Sequence, residues 1–224
     1  MLDSIILIPY RNRKEHLDIF IKEVVPLFRK YLNSFKVVVI EQIEGKPFNR
    51  GKLINIGFKE FIHQALFYFH HDVDIIPREN TVKILYTIKN FDVLRLYCGH
   101  NKSCGGVIKL TETAFLKMNG FPNYIWGWGF EDVVLFYRAS VLKLNMTDNL
   151  ANMSNFKMLG HESNAKGDDE ERIKLRESES ELYNNKCYHE QLTYIKKFGL
   201  SDLKYQVIER KKISDDVILI KVDI

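Results

Sequence analysis

Runs of consecutive apolar residues, many of them β-branched, recur along the first half of the chain. They occupy residues 4–10, 36–42, 65–74 and 91–97, and each ends in polar or glycine residues. A strand with one face in water alternates between apolar and polar residues, whereas a strand buried on both faces is apolar throughout. The pattern therefore predicts four strands that are covered on both faces.

Segments with helical apolar spacing separate these runs, at residues 14–32, 51–62 and 79–90. In the first segment five apolar residues share one helical face, namely Leu17, Phe20, Ile21, Val24 and Phe28. Pro26 should kink this helix, because proline lacks the N–H that a helix interior needs. Alternating strands and helices predict an α/β domain with a largely parallel sheet, whose ligands bind where strands end and helices begin.

The second half of the chain has a different pattern. Its segments are the apolar stretch 104–110, a helix near 111–119, an aromatic and glycine-rich run at 123–134, a very polar stretch at 162–185 and a last strand at 216–224. The polar stretch predicts an exposed loop followed by a charged helix. Neither a repeat nor a linker interrupts the pattern, so we expect one domain over residues 1–224.

Composition indicates a globular protein and narrows its partners. Of 224 residues, 46% are hydrophobic and 28% are charged, and no stretch approaches the roughly 20 apolar residues of a membrane helix. We therefore expect a cytoplasmic protein that can work at a membrane surface but has no span in this chain. The net charge of +4 favours anionic ligands such as nucleotide phosphates over nucleic acid, since no basic block is present. Three cysteines without metal-ligand spacing predict free thiols, although Cys98 and Cys104 could pair.

Two carboxylates, Asp72 and Asp74, follow the third apolar run. Side chains two residues apart in a strand share a face, so both carboxylates could point past the strand end. Such a pair attracts a hard divalent cation, which could bridge to a diphosphate. A solvated exit from strand to turn has the same sequence pattern, and the pattern alone favours that interpretation.

Arginines precede two of the predicted helices. Arg11 and Arg13 follow the first strand, and Arg50 follows Phe48 before the second helix. Guanidinium groups and helix-terminal N–H groups suit a phosphate, and Phe48 could stack on a base while Arg50 pairs with an anionic group. Solvated capping turns would carry the same residues, so both interpretations stay open at this point.

Two later stretches carry further candidate chemistry. In WGWGFEDVV, residues 126–134, the tryptophans beside glycines suit a mobile loop that stacks on a sugar ring. Glu131 and Asp132 follow at a predicted helix N-terminus, where they either cap the helix or provide a general base. Met158 and His161 can converge on one side of a turn as metal ligands. In isolation, a packed methionine and a surface histidine are the more ordinary interpretation.

Together these motifs resemble the β-1,4-galactosyltransferase family. The matching blocks are, in order, IPYRNRKEHL, FNRGKLINIGF, DVDIIP, CGGVIKLTETAFLKMNGFPNYIWGWGFED, MLGH and LKYQVIE. Six blocks in the right order are far more specific than any one of them, and residues 104–132 alone are nearly diagnostic. The resemblance implies a GT-A fold, an α/β nucleotide-binding domain with a mixed sheet. It also implies Mn²⁺-dependent transfer of a sugar from a UDP-sugar, with inversion.

The resemblance also implies a role for each matching residue. Those expected at the nucleotide and donor sugar are Pro9, Arg11, Arg13, Phe48, Arg50, Asp72, Val73, Asp74, Ser103, Gly106, Trp128 and Glu131. The expected metal ligands are Asp74, Met158 and His161. Asp132 would be the base that deprotonates the acceptor hydroxyl, and Gly129, Phe130 and Glu131 would join it at the acceptor. Mobile loops are expected near residues 123–130 and 159–175.

Departures from the family pattern concern both substrates. Phe130 replaces a glycine and Val133 replaces a second aspartate, which predicts that free N-acetylglucosamine is not the natural acceptor. Ser103 stands where galactose-transferring relatives carry tyrosine, and its small size predicts room for UDP-N-acetylgalactosamine as well as UDP-galactose. The missing anchor, stem and disulfide cysteines suggest a soluble bacterial or viral relative that modifies a surface polysaccharide or a lipid-linked acceptor.

Two other function classes compete with an enzyme. A sugar-binding module could have kept the fold and lost turnover, as the changes at Phe130 and Val133 would permit. The presence of both Asp132 and a complete metal-ligand set argues against that module, because binding alone does not need a base. A nucleic-acid-binding protein is suggested only by the pI of about 8.8.

Overall fold

This computed structural model describes residues 1–127, 129–148, 153–160 and 170–224. An eight-stranded mixed sheet forms the centre of this part of the chain. Its strands are β1 (Leu2–Tyr10), β2 (Phe35–Gln42), β3 (Ala65–His71), β5 (Val93–Tyr97), β6 (Val107–Thr111), β7 (Met146–Asp148), β9 (Gln206–Lys212) and β10 (Val217–Asp223). The order across the sheet is β7-β5-β6-β3-β1-β2-β10-β9. A separate two-stranded sheet joins β4 (Ile75–Pro77) to β8 (Phe156–Met158).

Helices cover both faces of the sheet. They are α1 (Lys14–Glu23), α2 (Val25–Tyr31), α3 (Arg50–Glu60), α4 (Glu79–Thr81), α5 (Glu112–Lys117), α6 (Glu131–Val141), α7 (Glu170–Asn185) and α8 (Tyr188–Lys197). A π-helical turn, Val82–Tyr86, continues α4, and short 3₁₀ turns form at Met153–Asn155 and Leu200–Asp202. In the described part of the chain, no helix combines the length and the apolar character needed to cross a bilayer.

Strand β1 lies inside the sheet, parallel to both β2 and β3. Ile6 and Ile8 belong to one apolar cluster, which α1 and α2 cover, while Ile5 and Leu7 belong to a second cluster with α3 and α5. All four side chains are fully buried. The prediction of strands covered on both faces is therefore confirmed, and the continuous apolar run reflects two cores that share one strand.

The structure refines several predicted boundaries. Strand β3 ends at His71, so residues 72–74 form a turn and the two-residue periodicity of a strand does not apply to Asp72 and Asp74. The first helical segment is divided between α1 and α2, and Pro26 lies in the first turn of α2, where its missing N–H costs little. Three strand pairings in the described sheet, β3–β6, β5–β6 and β9–β10, are antiparallel, so the sheet is mixed.

Candidate active site

Helix α3 begins beside the carboxyl end of the sheet, and its first turn is held by buried amides. Asn49 caps the helix, since its Oδ1 accepts from the N–H of Lys52 at 2.9 Å. The Asn49 Nδ2 donates to the carbonyl of Asn123 at 2.8 Å, which ties the start of α3 to the segment that leads into α6. Arg50, the first residue of α3, is thereby fixed between the sheet edge and the N-terminus of α6.

Arg50 is the centre of a cluster of carboxylates. Its Nε donates to Glu131 Oε1 at 2.5 Å, its Nη1 donates to Asp72 Oδ2 at 3.1 Å, and its Nη2 lies 3.6 Å from Asp132 Oδ2. His70, which is fully buried, contacts the second oxygen of Asp72 through Nε2 at 3.0 Å. Asp72 therefore faces Arg50 and His70 from the turn that follows β3.

The pKa values of two carboxylates in this cluster are shifted in opposite directions. Burial favours the neutral form of Asp72, but the Arg50 guanidinium and His70 overcome it and hold the pKa of Asp72 well below its usual range. Burial wins at Glu131, whose pKa is raised despite its bond to Arg50. The Oε2 atom of Glu131 is buried and has no hydrogen-bond partner among the described residues. The site thus contains one buried acidic oxygen whose capacity to accept a hydrogen bond is unused among the described residues.

Asp132 lies against the loop between β5 and β6. The hydroxyl of Ser103 donates to Asp132 Oδ2 at 2.6 Å, and the N–H of Val133 donates to Oδ1 at 2.9 Å. A Cβ atom on Gly105 would lie only 2.5 Å from Asp132 Oδ2, so only glycine lets the loop backbone approach the carboxylate. Glu131 and Asp132 do occupy the first turn of a helix, as the sequence predicts.

The two short strands bring Asp74 and Met158 together. Ile75 of β4 pairs with Met158 of β8, and the N–H of Leu159 donates to the carbonyl of Asp74 at 2.8 Å. Met158 has 47% of its surface exposed, so it is not the core residue that its type alone suggests. His161, the third expected ligand, lies outside the described residues. Within them, no three His, Cys, Asp or Glu side chains form a metal-binding group.

The residues expected around the nucleotide lie at the ends of β1 and β2. The Arg11 guanidinium is 5.3 Å from the centre of the Phe48 ring and donates to the carbonyl of Lys46 at 2.7 Å. Pro9 is buried in β1, and Arg13 immediately precedes α1. Arg11 and Phe48 thus form one surface, whereas Arg13 contributes the helix start.

Two further expected residues support the turn after β3. Val73 is buried in the first apolar cluster. Gly106 has φ +71°, its carbonyl accepts from the N–H of Asp72 at 2.9 Å, and a Cβ there would lie 2.5 Å from the carbonyl oxygen of Tyr97. Gly106 therefore holds Asp72 in place by its backbone, a role that only a residue without a side chain can take at this position.

The segment before Glu131 has a backbone conformation that is unusual for a bulky residue. Phe130 has φ +80°, in the left-handed region where a bulky residue is strained. Its ring packs against the cluster of Ile125, Val134 and Tyr183 and lies 5.8 Å from the Arg176 guanidinium. The ring is only half-buried, so this packing leaves the predicted place of Phe130 at the acceptor open. Gly129 also has positive φ, and Trp128 lies outside the described residues.

Several residues that the motifs did not indicate hold this site together. Arg95, buried in β5, forms a bidentate pair with Asp148 and donates to the carbonyl of Ser103 at 2.9 Å. His70 supports Asp72, as described above. A charged residue inside an apolar strand, such as Arg95, is the sequence signal that could have found it, because a buried charge requires a partner.

Comparison with solved structures defines the fold class. A mutant of Drosophila β1,4-galactosyltransferase 7, in complex with manganese, UDP-Gal and xylobiose, matches with a TM-score of 0.76 and 22% identity over 100% of this chain and 94% of that chain. A mannosyltransferase from Pyrobaculum calidifontis, in complex with GDP-Man and Mn²⁺, matches with a TM-score of 0.51 and 9% identity over 66% and 55% of the two chains. The protein therefore has the GT-A glycosyltransferase fold, as expected.

Sequence comparison narrows this class to one family. Residues 2–88 match the model of the N-terminal region of glycosyl transferase group 7, and residues 87–162 match that of the N-terminal domain of galactosyltransferase. Human β-1,4-galactosyltransferase 6 is 36% identical over 70% of this chain and 43% of its own length. Human β-1,4-galactosyltransferase 4 is 34% identical over 80% and 54%. The chain belongs to the β-1,4-galactosyltransferase family and spans about half the length of these curated relatives.

Proposed function

We propose that this chain is a Mn²⁺-dependent, inverting glycosyltransferase. It moves galactose or N-acetylgalactosamine from a UDP-sugar to a sugar hydroxyl of a glycan or glycolipid acceptor. The observation that carries the proposal is the convergence of Asp72, Glu131 and Asp132 on the Arg50 guanidinium. Buried ion pairs are weak evidence for stability, since apolar residues can often replace them without loss. A chain that keeps such a cluster at the ends of its strands is more easily explained by catalysis.

The residues beside this cluster fit a divalent cation. Asp74 supplies a carboxylate, and the half-exposed Met158 is brought next to it by the pairing of β4 with β8. With His161 they would hold Mn²⁺ through one carboxylate, one imidazole and one thioether, of which the thioether is the soft and unusual member. When bound, the ion would supply a Lewis acid that offsets the charge of the departing diphosphate. Asp72, already engaged by Arg50, is not needed as a ligand.

The nucleotide would bind at the surface formed by Arg11 and Phe48. An aromatic ring can stack on the uracil base, and the guanidinium beside that ring is positioned for an anionic or carbonyl oxygen. Pro9, Arg13 and Val73 would shape the same pocket, and Trp128 would close over the donor. Exclusion of water is the expected benefit of closure, because water would otherwise hydrolyse the donor.

Asp132 would take the proton from the acceptor hydroxyl. Its Oδ2 already accepts from Ser103, whereas Oδ1 accepts from the N–H of Val133, its own neighbour in the chain. A carboxylate oxygen has two lone pairs, so Oδ1 keeps room for the acceptor. Inversion needs one displacement, for which one base suffices and no protein nucleophile is required. Glu131, through its unpaired Oε2, would orient the donor sugar or the acceptor.

The experiment that tests this proposal measures UDP release from UDP-galactose and UDP-N-acetylgalactosamine, with and without Mn²⁺, across a panel of glycan acceptors. Acceptor-dependent and Mn²⁺-dependent release is expected with at least one acceptor. A binding module of the same fold would bind UDP and release none from the donor. The panel should include lipid-linked and polysaccharide fragments, because Phe130 and Val133 depart from the family pattern at the acceptor.

Two further parts of the proposal concern the chain as a whole. We expect residues 1–224 to act as one catalytic domain, because β10 near the end of the chain pairs with β2 near its beginning. We also expect this domain to work in the cytoplasm, where its cysteines stay reduced. In support, all three cysteines are free thiols, and Cys104 is fully buried. Fractionation of cells that express the tagged protein would test the location.

A further inference from the structure

Ser103 is connected to the proposed base by a hydrogen-bond chain with a defined direction. The N–H of Gly105 donates to Ser103 Oγ at 3.0 Å, and Ser103 Oγ lies 2.6 Å from Asp132 Oδ2. Because the carboxylate has no hydrogen to give, the hydroxyl hydrogen points to Oδ2. Ser103 is only 2% exposed, so bulk water does not compete for this bond.

Backbone contacts around this hydrogen bond fix the position of Ser103 relative to Asp132. The N–H of Cys104 donates to the carbonyl oxygen of Asp132 at 3.0 Å, which joins the Ser103 loop to the first turn of α6. The buried Arg95 donates to the Ser103 carbonyl from the other side. Gly105 lacks the Cβ that would collide with Oδ2. The loop is therefore joined to Asp132 by one side-chain hydrogen bond and one backbone hydrogen bond.

We propose that Ser103 is a positioning residue, which holds Oδ2 of Asp132 so that Oδ1 faces the acceptor hydroxyl. The inference rests on the proposed function, in which Asp132 is the base. It assigns Ser103 a second role besides lining the donor-sugar pocket. A change of residue at this position would then alter both the choice of donor sugar and the orientation of the base.

The charged and titratable groups that face Asp132 come from three elements. Arg50 of α3 contributes positive charge, with its Nη2 3.6 Å from Asp132 Oδ2. Glu131 immediately precedes Asp132 in α6. The Cys98 and Cys104 thiols lie on the loop after β5, and burial raises both of their pKa values, that of Cys98 to about 12, so both stay neutral. Removing the Ser103 hydroxyl therefore deletes a hydrogen bond to the carboxylate and leaves the surrounding charged groups in place.

The test compares Ser103→Ala with Ser103→Thr, which retains a hydroxyl. Ser140→Ala serves as the control, since Ser140 lies on the same helix as Asp132 and its exposed hydroxyl donates to the carbonyl of Phe136 in that helix. For Ser103→Ala we expect an acidic limb of the kcat profile about one pH unit higher, because the carboxylate loses a hydrogen bond from the hydroxyl. We also expect a lower kcat on the alkaline side of that limb, because Oδ1 is no longer held toward the acceptor. The KM for UDP-galactose should change less than twofold, and Ser103→Thr should restore the acidic limb.

Other outcomes would overturn the inference. A changed donor KM with an unmoved acidic limb would make Ser103 a wall of the donor pocket only. If Ser103→Ala weakened UDP binding and lowered Tm without moving the acidic limb, the role of Ser103 would be structural only. If no acceptor supports transfer, the proposed function is wrong, and this result does not decide the role of Ser103. NMR titration of the Asp132 carboxyl in ¹³C-aspartate-labelled protein still decides the inference, since an unchanged midpoint in Ser103→Ala refutes it.

Discussion

Replacing Arg50 with methionine tests whether one guanidinium holds the carboxylate cluster together. Methionine keeps most of the volume of the aliphatic chain but removes the positive charge and all three contacts. Asp72, Glu131 and Asp132 would then lie close together with no cation between them. Like charges that are partly excluded from water repel strongly, so the folded state should lose stability at neutral pH.

The size of the effect follows from the burial of these groups. Removing one partner of a buried ion pair typically costs about 3–5 kcal/mol. The side chains of Arg50, Asp72 and Asp132 are 20%, 22% and 19% exposed, so water reaches them in part, and Asp72 keeps its bond to His70. We therefore expect a loss of about 3 kcal/mol, equivalent to a Tm lower by roughly 6–12 °C in a chain of this length.

The sign of the pH dependence is also defined. Because the pKa of Asp72 is depressed in the folded protein, its contribution is fully present above its unfolded value of about 3.8 and is lost as the pH falls below it. Glu131 has a raised pKa, so its charge opposes folding near neutral pH, and this cost grows when Arg50 is removed. Both effects make the difference between parent and variant largest near pH 7 and smaller below pH 4.

Thermal unfolding at pH 7 and pH 3 measures this prediction. Arg29→Met is the matched control, because Arg29 forms an ion pair with Asp216 at the surface, where its side chain is 54% exposed. Such a pair contributes about 0–1 kcal/mol. If Arg50→Met lowers Tm no more than Arg29→Met does, or lowers it equally at both pH values, the cluster does not depend on the guanidinium.

Three further predictions concern the metal ligands, the donor-sugar pocket and a buried lysine of the core. His161→Ala should weaken Mn²⁺ activation strongly and Met158→His should shift metal preference, since the thioether is the soft ligand; unchanged activity curves with Mn²⁺, Mg²⁺ and Co²⁺ would exclude both residues as ligands. Ser103→Tyr should raise the ratio of kcat/KM for UDP-galactose over UDP-N-acetylgalactosamine, by up to about 1–3 kcal/mol of discrimination, and a ratio equal to that of the parent would remove Ser103 from the donor pocket. Burial lowers the pKa of Lys109 to about 8 from 10.5, so the unfolded chain binds more protons between these values and stability should rise with pH across that window. Chemical denaturation at pH 8 and pH 10 should show this rise in the parent and lose it in Lys109→Met.

Much of the fold was predictable from apolar patterning. Ile5 to Ile8 occupy the two cores alternately, so a run without polar residues correctly indicates a strand covered on both faces. The pattern does not contain the direction of pairing, which depends on distant partners such as β6 beside β3. The π-helical turn at Val82–Tyr86 was also out of reach, because its residues have ordinary helical spacing.

The sequence indicated which residues belong to the candidate site, but it did not indicate which of them contact one another. Asp72 and Asp74 stand two apart, yet the strand ends at His71, so the two-residue spacing did not predict that Asp72 contacts Arg50 and His70. The link between Ser103 and Asp132 joins residues 29 positions apart and depends on the missing Cβ of Gly105. Such links arise from packing, which no local spacing encodes.

The measurement that tests the central claim most directly is acceptor-dependent UDP release by the parent and by Asp132→Asn, with and without Mn²⁺. The amide keeps the shape of the carboxylate but cannot take a proton. We expect Mn²⁺-dependent transfer by the parent and a rate roughly 10²–10⁴-fold lower in the variant, with nearly unchanged affinity for UDP and Mn²⁺. Transfer by Asp132→Asn at the parental rate, or equal rates with and without Mn²⁺, would contradict the account.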